Sequence, residues 1–263
     1  MRNILKPYQG LVFSAVFVSF LSANAFSQEV PDVTEPVEPD VSEVQEEFSD
    51  FVGKSENFSQ AVYINQLGND NRTNIQQQDG DNTAHVSITG NNNGADGVEG
   101  QITQKNATNT ASVIVVGDRN DFDISQDGLG GTNKTSLYQS GTDNDALIEQ
   151  SSVLSSTNSA ELWQVGNGNQ LTVNQVNAVA AYNNEVRLFQ DGTDNSATLT
   201  QNGGNNTINA TQVGDTVSAT FTQNGFDNTL ISRQDGTNLN YGITQDGGAT
   251  ISIIQTNTFT SPQ

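Results

Sequence analysis

The chain has 263 residues, with 9 Lys and Arg against 30 Asp and Glu, a formal charge of −21, and only 33% hydrophobic residues. That acidity speaks against nucleic-acid binding, which needs clustered Lys and Arg. No cysteine and a single histidine exclude disulfide frameworks, thiolate metal sites, cysteine nucleophiles and multi-histidine metal centres.

In chain order, Arg2 and Lys6 precede an apolar run from Leu11 to Leu21, followed by Ala23-Asn24-Ala25. This reads as a secretory signal peptide over residues 1–25, its apolar run too short for a mature membrane span. Its loss removes Arg2 and Lys6 and takes the charge from −21 to −23. No later segment is apolar enough to be a span. Residues 26–56 form an acidic, Pro/Glu-rich leader in which Pro31, Pro36 and Pro39 favour an extended, solvated and largely disordered chain. Val41, Val44, Phe48 and Phe51 fall near helical spacing, so a short amphipathic helix over about 42–53 competes with a plain linker.

Residues 57–257 are a repeat, with a tail at 258–263. Gln190, Gln201, Gln212, Gln223, Gln234 and Gln245 are spaced by 11 residues. With insertions allowed, Gln66, Gln77, Gln104, Gln126, Gln139, Gln150, Gln164, Gln175 and Gln255 hold the same place. Gln thus ends 15 of 17 units, with Ile88 and Val115 as the exceptions. Asn stands six residues earlier in 12 of the 17, among them Asn144, Asn195, Asn206 and Asn228. Gly commonly follows the Gln by two, where a tight turn favours positive φ.

Within a unit the period is 2. In Asn195–Gln201, Asn195, Ala197, Leu199 and Gln201 share one face, and Ser196, Thr198 and Thr200 the other. That is a half-buried strand. A strand and turn of 11 residues reverse the chain, and 22 residues bring it back above its start. The predicted fold is all-β: a β-solenoid of two facing parallel sheets with about 8.5 rungs, roughly 40 Å long at ~4.8 Å per rung. An antiparallel meander is the rival. In the solenoid, identical amides lie above one another and satisfy each other as ladders.

The pattern Gln190-x-Gly192-x-x-Asn195-x-Ala197-x-x-x-Gln201 resembles the curlin repeat of bacterial curli fibres, and Gln139, Gly141, Asn144, Ala146 and Gln150 match it equally well. The resemblance covers about 57–257. It implies a secreted subunit of a functional amyloid on the cell surface, in the biofilm matrix of a Gram-negative-type envelope. It also implies self-association, a second curlin subunit as nucleator and a curli-type export channel. The chain has more repeats than is common in the family, an acidic leader in place of a Gly/Asn-rich one, and no basic last repeat.

Polymerisation also follows from the strand edges. The first strand, Gln60–Gln66, and the last, Ala249–Gln255, carry no Pro or inward charge to block pairing. Turn carboxylates such as Asp79, Asp127, Asp191, Asp235 and Asp246 read either as ordinary turn chemistry or as gatekeepers that slow premature association by repulsion. No catalytic set, metal site or cofactor site is expected. His85 projects outward by register, as a solvated residue, and Asp118, Asp121 and Asp123 lack the glycine-rich nonapeptide pattern of calcium-binding repeats.

The outward faces carry two further features. Ile114, Tyr138, Trp163 and Phe189 stand just before the Gln position in strands 5, 7, 9 and 11, forming an apolar stripe that is either a candidate contact surface or a set of aromatics packed under their own longer loops. Longer turns follow Gln126, Gln150 and Gln175, on one edge and leading into strands 7, 9 and 11, so loops and aromatics are expected as neighbours. On the other sheet Thr172, Thr198, Thr200, Thr220, Thr222 and Thr244 align, broken by Asn74, Gln101, Asp123 and Leu147. Threonine arrays of this kind make a monomeric extracellular solenoid, such as an ice-binding protein or adhesin, the alternative function.

Overall fold

The computed structural model describes residues 60–94, 100–106 and 108–257. The signal peptide, the leader with its helix at about 42–53, and the tail at 258–263 lie outside the described residues.

Every repeat unit forms a strand. The first eight are β1 (Gln60–Leu67), β2 (Thr73–Gln78), β3 (Asn82–Thr89), β4 (Gly100–Lys105), β5 (Thr108–Asp118), β6 (Asp121–Leu129), β7 (Thr132–Thr142) and β8 (Asp145–Val153). They continue as β9 (Thr157–Asn167), β10 (Gln170–Asn177), β11 (Asn183–Thr193), β12 (Ser196–Gly204) and β13 (Asn206–Asp215). The chain then runs through β14 (Ser218–Phe226), β15 (Thr229–Asp235), β16 (Asn240–Asp246) and β17 (Thr250–Thr256).

Odd strands make a nine-stranded sheet ordered β1-β3-β5-β7-β9-β11-β13-β15-β17, and even strands an eight-stranded sheet ordered β2 to β16. Every pairing between these strands is parallel, so the fold is the two-sheet β-solenoid and not a meander. Gln aligns on Gln throughout: Gln190 pairs with Gln164 on one side and Gln212 on the other. Ile88 and Val115 occupy the same column, beside each other.

The core lies between the sheets. Val113, Leu137, Leu162 and Leu188 stack from one side, and Ile102, Ile124, Ile148, Val173, Leu199 and Phe221 from the other, all fully buried. Alternation sets this register, since a slip of one residue would turn Thr198 and Thr200 inward. Local departures compensate for one another. Phe122 is accommodated because Gly100 lies beneath it, where a Cβ would come within 2.6 Å of the ring. Ser232, the only polar residue two before a unit-ending position, meets the Tyr241 hydroxyl from the opposite sheet in a hydrogen bond.

The turns after odd strands are stacked glycines. Gly192 has φ 129°, and a Cβ there would meet the carbonyl oxygen of Gly214 at 1.9 Å. Gly117, Gly141, Gly166 and Gly214 repeat this contact at 1.8–2.0 Å. Glycine is therefore required by the approach of the next rung as well as by φ. The turns after even strands share the opposite edge and hold the loops after β6, β8 and β10, where Gly130 bridges Val153 and Thr157 N–H donates to the Tyr182 carbonyl; the longest connection, between β3 and β4, follows an odd strand.

Candidate assembly surfaces and amide ladders

The in-register columns bring the predicted glutamines together as hydrogen-bonded chains. In the even sheet each Gln Nε2 donates to the Oε1 of the next rung, from Gln77 through Gln104, Gln126, Gln150, Gln175, Gln201 and Gln223 to Gln245, at 2.7–3.0 Å. In the odd sheet the chain starts at Gln139 and passes through Gln164, Gln190, Gln212 and Gln234 to Gln255, at 2.9–3.3 Å. The same amides also donate across the core to a carbonyl at the start of the preceding strand: Gln150 to Lys134 at 3.0 Å and Gln190 to Gln170 at 3.1 Å. One side chain thus ties neighbouring rungs and opposite sheets.

The odd ladder stops where Ile88 and Val115 interrupt the column. Gln139 Oε1 is consequently buried without a hydrogen-bond partner. Gln66, on the far side of the break, is exposed and donates to Thr73 Oγ1 at 2.9 Å.

Asparagines at the strand starts form two further columns. Asn144 Nδ2 donates to Asn120 Oδ1 at 2.9 Å and to the Gly166 carbonyl at 3.0 Å, while Asn144 Oδ1 accepts from Asn169 at 3.0 Å. Asn195 continues this column through its backbone N–H to Asn169 Oδ1 at 3.1 Å, and its Oδ1 accepts from Val217 N–H at 2.9 Å. In the other column Asn228 donates to Asn206 Oδ1 at 3.0 Å, and Asn206 N–H to Asn184 Oδ1 at 3.3 Å. Asn93 belongs to the first column, between Asn71 and Asn120, and was missed by counting back from Gln104. Counting forward five from the Gln position, as from Gln66 to Asn71 and Gln139 to Asn144, reaches Asn93 from Ile88.

On the outer face of the odd sheet Ile114, Tyr138, Trp163 and Phe189 lie in one column on four consecutive strands. Trp163 retains only 8% exposure, because Tyr138 and Phe189 flank it. The expected proximity of these aromatics to the longer loops is corrected. Tyr138 lies six residues beyond Thr132, in the second half of β7, and ~20 Å from the loop edge at ~3.3 Å per residue. The loop edge has its own exposed apolar residues, Leu129, Leu154 and Val179.

His85 is also corrected. It keeps the expected outward register, aligned with Tyr63 and Ser112 between the inward Ala84 and Val86, but is fully buried rather than solvated; it stacks on Tyr63 with ring centroids 5.0 Å apart, and burial pushes its pKa down to about 4. On the even sheet Asp121 is pushed up to about 6, mainly by burial, with Asp145 and Asp123 adding repulsion. Asp123 and Asp145 are raised too, again chiefly by burial. Exposed pairs such as Arg119 with Asp143, at 2.7 Å, contribute at most about 1 kcal/mol. No group of three metal-ligating side chains occurs among the described residues, and no helix there is long and apolar enough to cross a membrane.

The end strands bring together the features of a docking face. The sheets terminate at β1 and β17 and at β2 and β16. At one end the inward-register residues Val62 and Ile64 are 43% and 44% exposed. At the other, Ile243, Ile251 and Ile253 are partly exposed. Among the described residues each end presents two strand edges with no neighbour; the even-sheet glutamine ladder runs to both ends, and the odd-sheet ladder reaches the β17 end only.

No curated protein and no solved structure matches the chain. A family model described as the curlin associated repeat matches residues 182–214, which run through β11 and β12 into β13. The matched segment contains the Gln190, Asn195, Gln201 and Asn206 positions that the other rungs repeat. The chain therefore carries the curlin repeat, in the two-sheet β-solenoid that its units build.

Proposed function

We propose that this protein is a secreted structural subunit that polymerises end to end into a cross-β fibre, the fibre axis running along the solenoid stack. The observation that carries this reading is the pair of uncovered end rungs: among the described residues, β1, β2, β16 and β17 each pair on one side only. Inward apolar residues exposed at those ends would be covered by another copy. Natural sheets usually guard such edges with Pro, inward charge or a covering element. The curlin repeat supports a curli-type role in a cell-surface or biofilm fibre, with export through a curli-type channel and a second curlin subunit as nucleator belonging to the same reading. The column of Tyr138, Trp163 and Phe189 is the proposed surface for lateral contact.

The test is fibre growth by the mature chain. Fibres should bind thioflavin and diffract at spacings near ~4.7 and ~10 Å. A chain that stays monomeric for days at high micromolar concentration and moderate salt would defeat the reading.

A monomeric ice-binding solenoid is favoured by one observation, the alignment of Thr198 with Thr220 and of Thr200 with Thr222 and Thr244. Thr198 also aligns with Thr172, but Leu147, Asp123 and Glu149 break the array on the strands below. Thermal hysteresis without fibre growth would select that alternative.

A further inference from the structure

We infer that successive subunits in the fibre are related by a half turn about the solenoid axis, so that the nine-stranded sheet of one copy continues the eight-stranded sheet of the next. This rests on the end-to-end reading above and deepens it.

The argument starts from the strand count. Seventeen strands are described, an odd number, and each rung takes two. The stack therefore begins with β1 and ends with β17 in the same sheet, while the other sheet ends one strand earlier, at β16. If a second copy docked by translation alone, its β1 would pair with β17. Its β2 would then lie two strand spacings from β16, about 9.6 Å instead of ~4.8 Å. Each junction would contain an empty strand position. The edges of β16 and of the incoming β2 would face it unpaired, and Ile243, Tyr241 and Ile75 would lose their neighbours. A buried backbone group left without a partner is costly.

A half turn removes the vacancy. It exchanges the two sheets, so the incoming β1 lies on β16 and the incoming β2 on β17. It also preserves strand direction. Each turn reverses the chain, so strands of the two sheets run oppositely across the core, and a half turn both reverses a strand and moves it to the other side. All new pairs are parallel, as within the subunit.

The register agrees. Aligning the glutamines puts Gln66 on Gln245, Ile64 on Ile243 and Val62 on Tyr241. On the other side it puts Gln77 on Gln255, Ile75 on Ile253 and Thr73 on Ile251. Inward residues meet inward residues. The ladders also have a direction that fits. Nε2 donates toward the C-terminal end in every glutamine ladder bond, as from Gln223 to Gln245 and from Gln234 to Gln255. Gln245 and Gln255 thus present Nε2 at this end, that of Gln245 also donating to the Thr229 and Ala249 carbonyls at 3.1 and 2.9 Å, and Gln77 begins with an Oε1 acceptor, Gln66 holding the equivalent place in β1. Two like ends would oppose donor to donor or acceptor to acceptor.

The chain contains no cysteine, so cross-links can be placed at will. Asn65, Thr244 and Ile254 are exposed and hold the same outward position, one before the glutamine, in β1, β16 and β17. Adjacent parallel strands bring such residues to ~4.8 Å, within the Cα range of a disulfide. Fibres grown reduced from the double variant N65C/T244C and then oxidised should resolve into covalent multimers on denaturing gels without reductant. Fibres of N65C/I254C should remain monomeric on the same gel. Cross-linking of N65C/I254C, of both variants, or of neither in well-formed fibres would overturn the half turn. Failure of the unmodified chain to form fibres would instead remove the end-to-end reading on which it rests. Helical reconstruction of unmodified fibres is the second measurement, independent of the substitutions. It should give a half turn beyond the solenoid's own twist and a rise of about 41 Å per subunit, whereas translation alone gives no half turn and about 43 Å.

Discussion

Replacing Gln150 by Leu tests whether the amide ladder holds the core together. Gln150 is buried and accepts from Gln126 Nε2 at 2.8 Å and from Thr135 Oγ1 at 2.9 Å. It donates to Gln175 Oε1 at 2.7 Å and to the Lys134 carbonyl at 3.0 Å. Leu is close in size and supplies none of these. Gln126 Nε2 keeps its bond to the Thr110 carbonyl at 3.0 Å, so its loss is partial. Gln175 Oε1 loses its Gln150 donor outright, in a core from which water is excluded. At about 1–3 kcal/mol for each buried polar group left unsatisfied, one full and one partial loss give roughly 2–5 kcal/mol, offset by up to about 1 kcal/mol from the added apolar burial. Gln66→Leu, at the exposed end, breaks one solvated bond and should cost less than about 1 kcal/mol. Urea unfolding of freshly desalted, unassembled subunit, followed by far-UV circular dichroism, measures both. Equal losses from the two substitutions would refute the argument that buried ladder bonds, rather than repeat statistics, explain the glutamines.

Filling the gap in the odd ladder should be non-additive: Val115→Gln alone pairs Gln139 Oε1 but leaves its own acceptor facing Ile88, whereas I88Q/V115Q extends the chain to Gln66. A double-mutant cycle in urea should show favourable coupling of about 1–3 kcal/mol, and additive effects would contradict it. Gly192→Ala forces a Cβ to 1.9 Å from the Gly214 oxygen and should destabilise by more than about 2 kcal/mol, while Gly247→Ala, at φ 70° with open space, should cost only about 1–2 kcal/mol. Asp121, raised to about 6, contributes stability that is full below its unfolded value of 3.8 and is lost as pH rises through 6. His85, lowered to about 4, acts oppositely, its contribution present above 6.5 and lost as pH falls through 4. The difference in urea midpoint between wild type and Asp121→Asn should therefore shift in favour of wild type between pH 7 and 5, with His85 common to both. Tyr138→Ser with Phe189→Ser, leaving the buried Trp163 in place, should preserve fibre growth and reduce bundle width in electron micrographs.

The fold was legible because its period is written twice, once as 11-residue spacing and once as alternation within each unit. The glutamine column was found even across Ile88 and Val115, since the residues two before them, Val86 and Val113, kept the inward pattern. Asn93 was lost because the chain's insertion falls after the asparagine, at residues 95–99, so counting backward from Gln104 crosses it. The insertions at Gln126, Gln150 and Gln175 fall before the asparagine, and backward counting succeeds there. Burial on the outward faces was not legible. Alternation states which side a residue takes, but not that a column of large side chains covers its own middle member, as Tyr138 and Phe189 cover Trp163. The exchange between Ser232 and Tyr241 was hidden for a related reason: the compensation acts across the core, between residues nine apart on different sheets.

The same columns explain how a chain with 33% hydrophobic residues builds a stable interior. A buried amide carries two donors and an acceptor, and in an ordinary core such a group seldom finds all its partners. Repetition changes this, because each rung presents the next with the complementary edge of the identical group. Gln150 takes what Gln126 gives and gives what Gln175 takes, so the expense of burying amides is confined to the places where the column ends. One such place is internal, at Gln139 above Val115, and is left with an unsatisfied oxygen. The others are the two ends of the solenoid. A half-turn junction would remove them at every contact between copies, by joining the donors of Gln245 and Gln255 to the acceptors of Gln66 and Gln77. The property that makes the polar core tolerable inside one subunit is then also what makes a second copy the best-fitting neighbour for its ends.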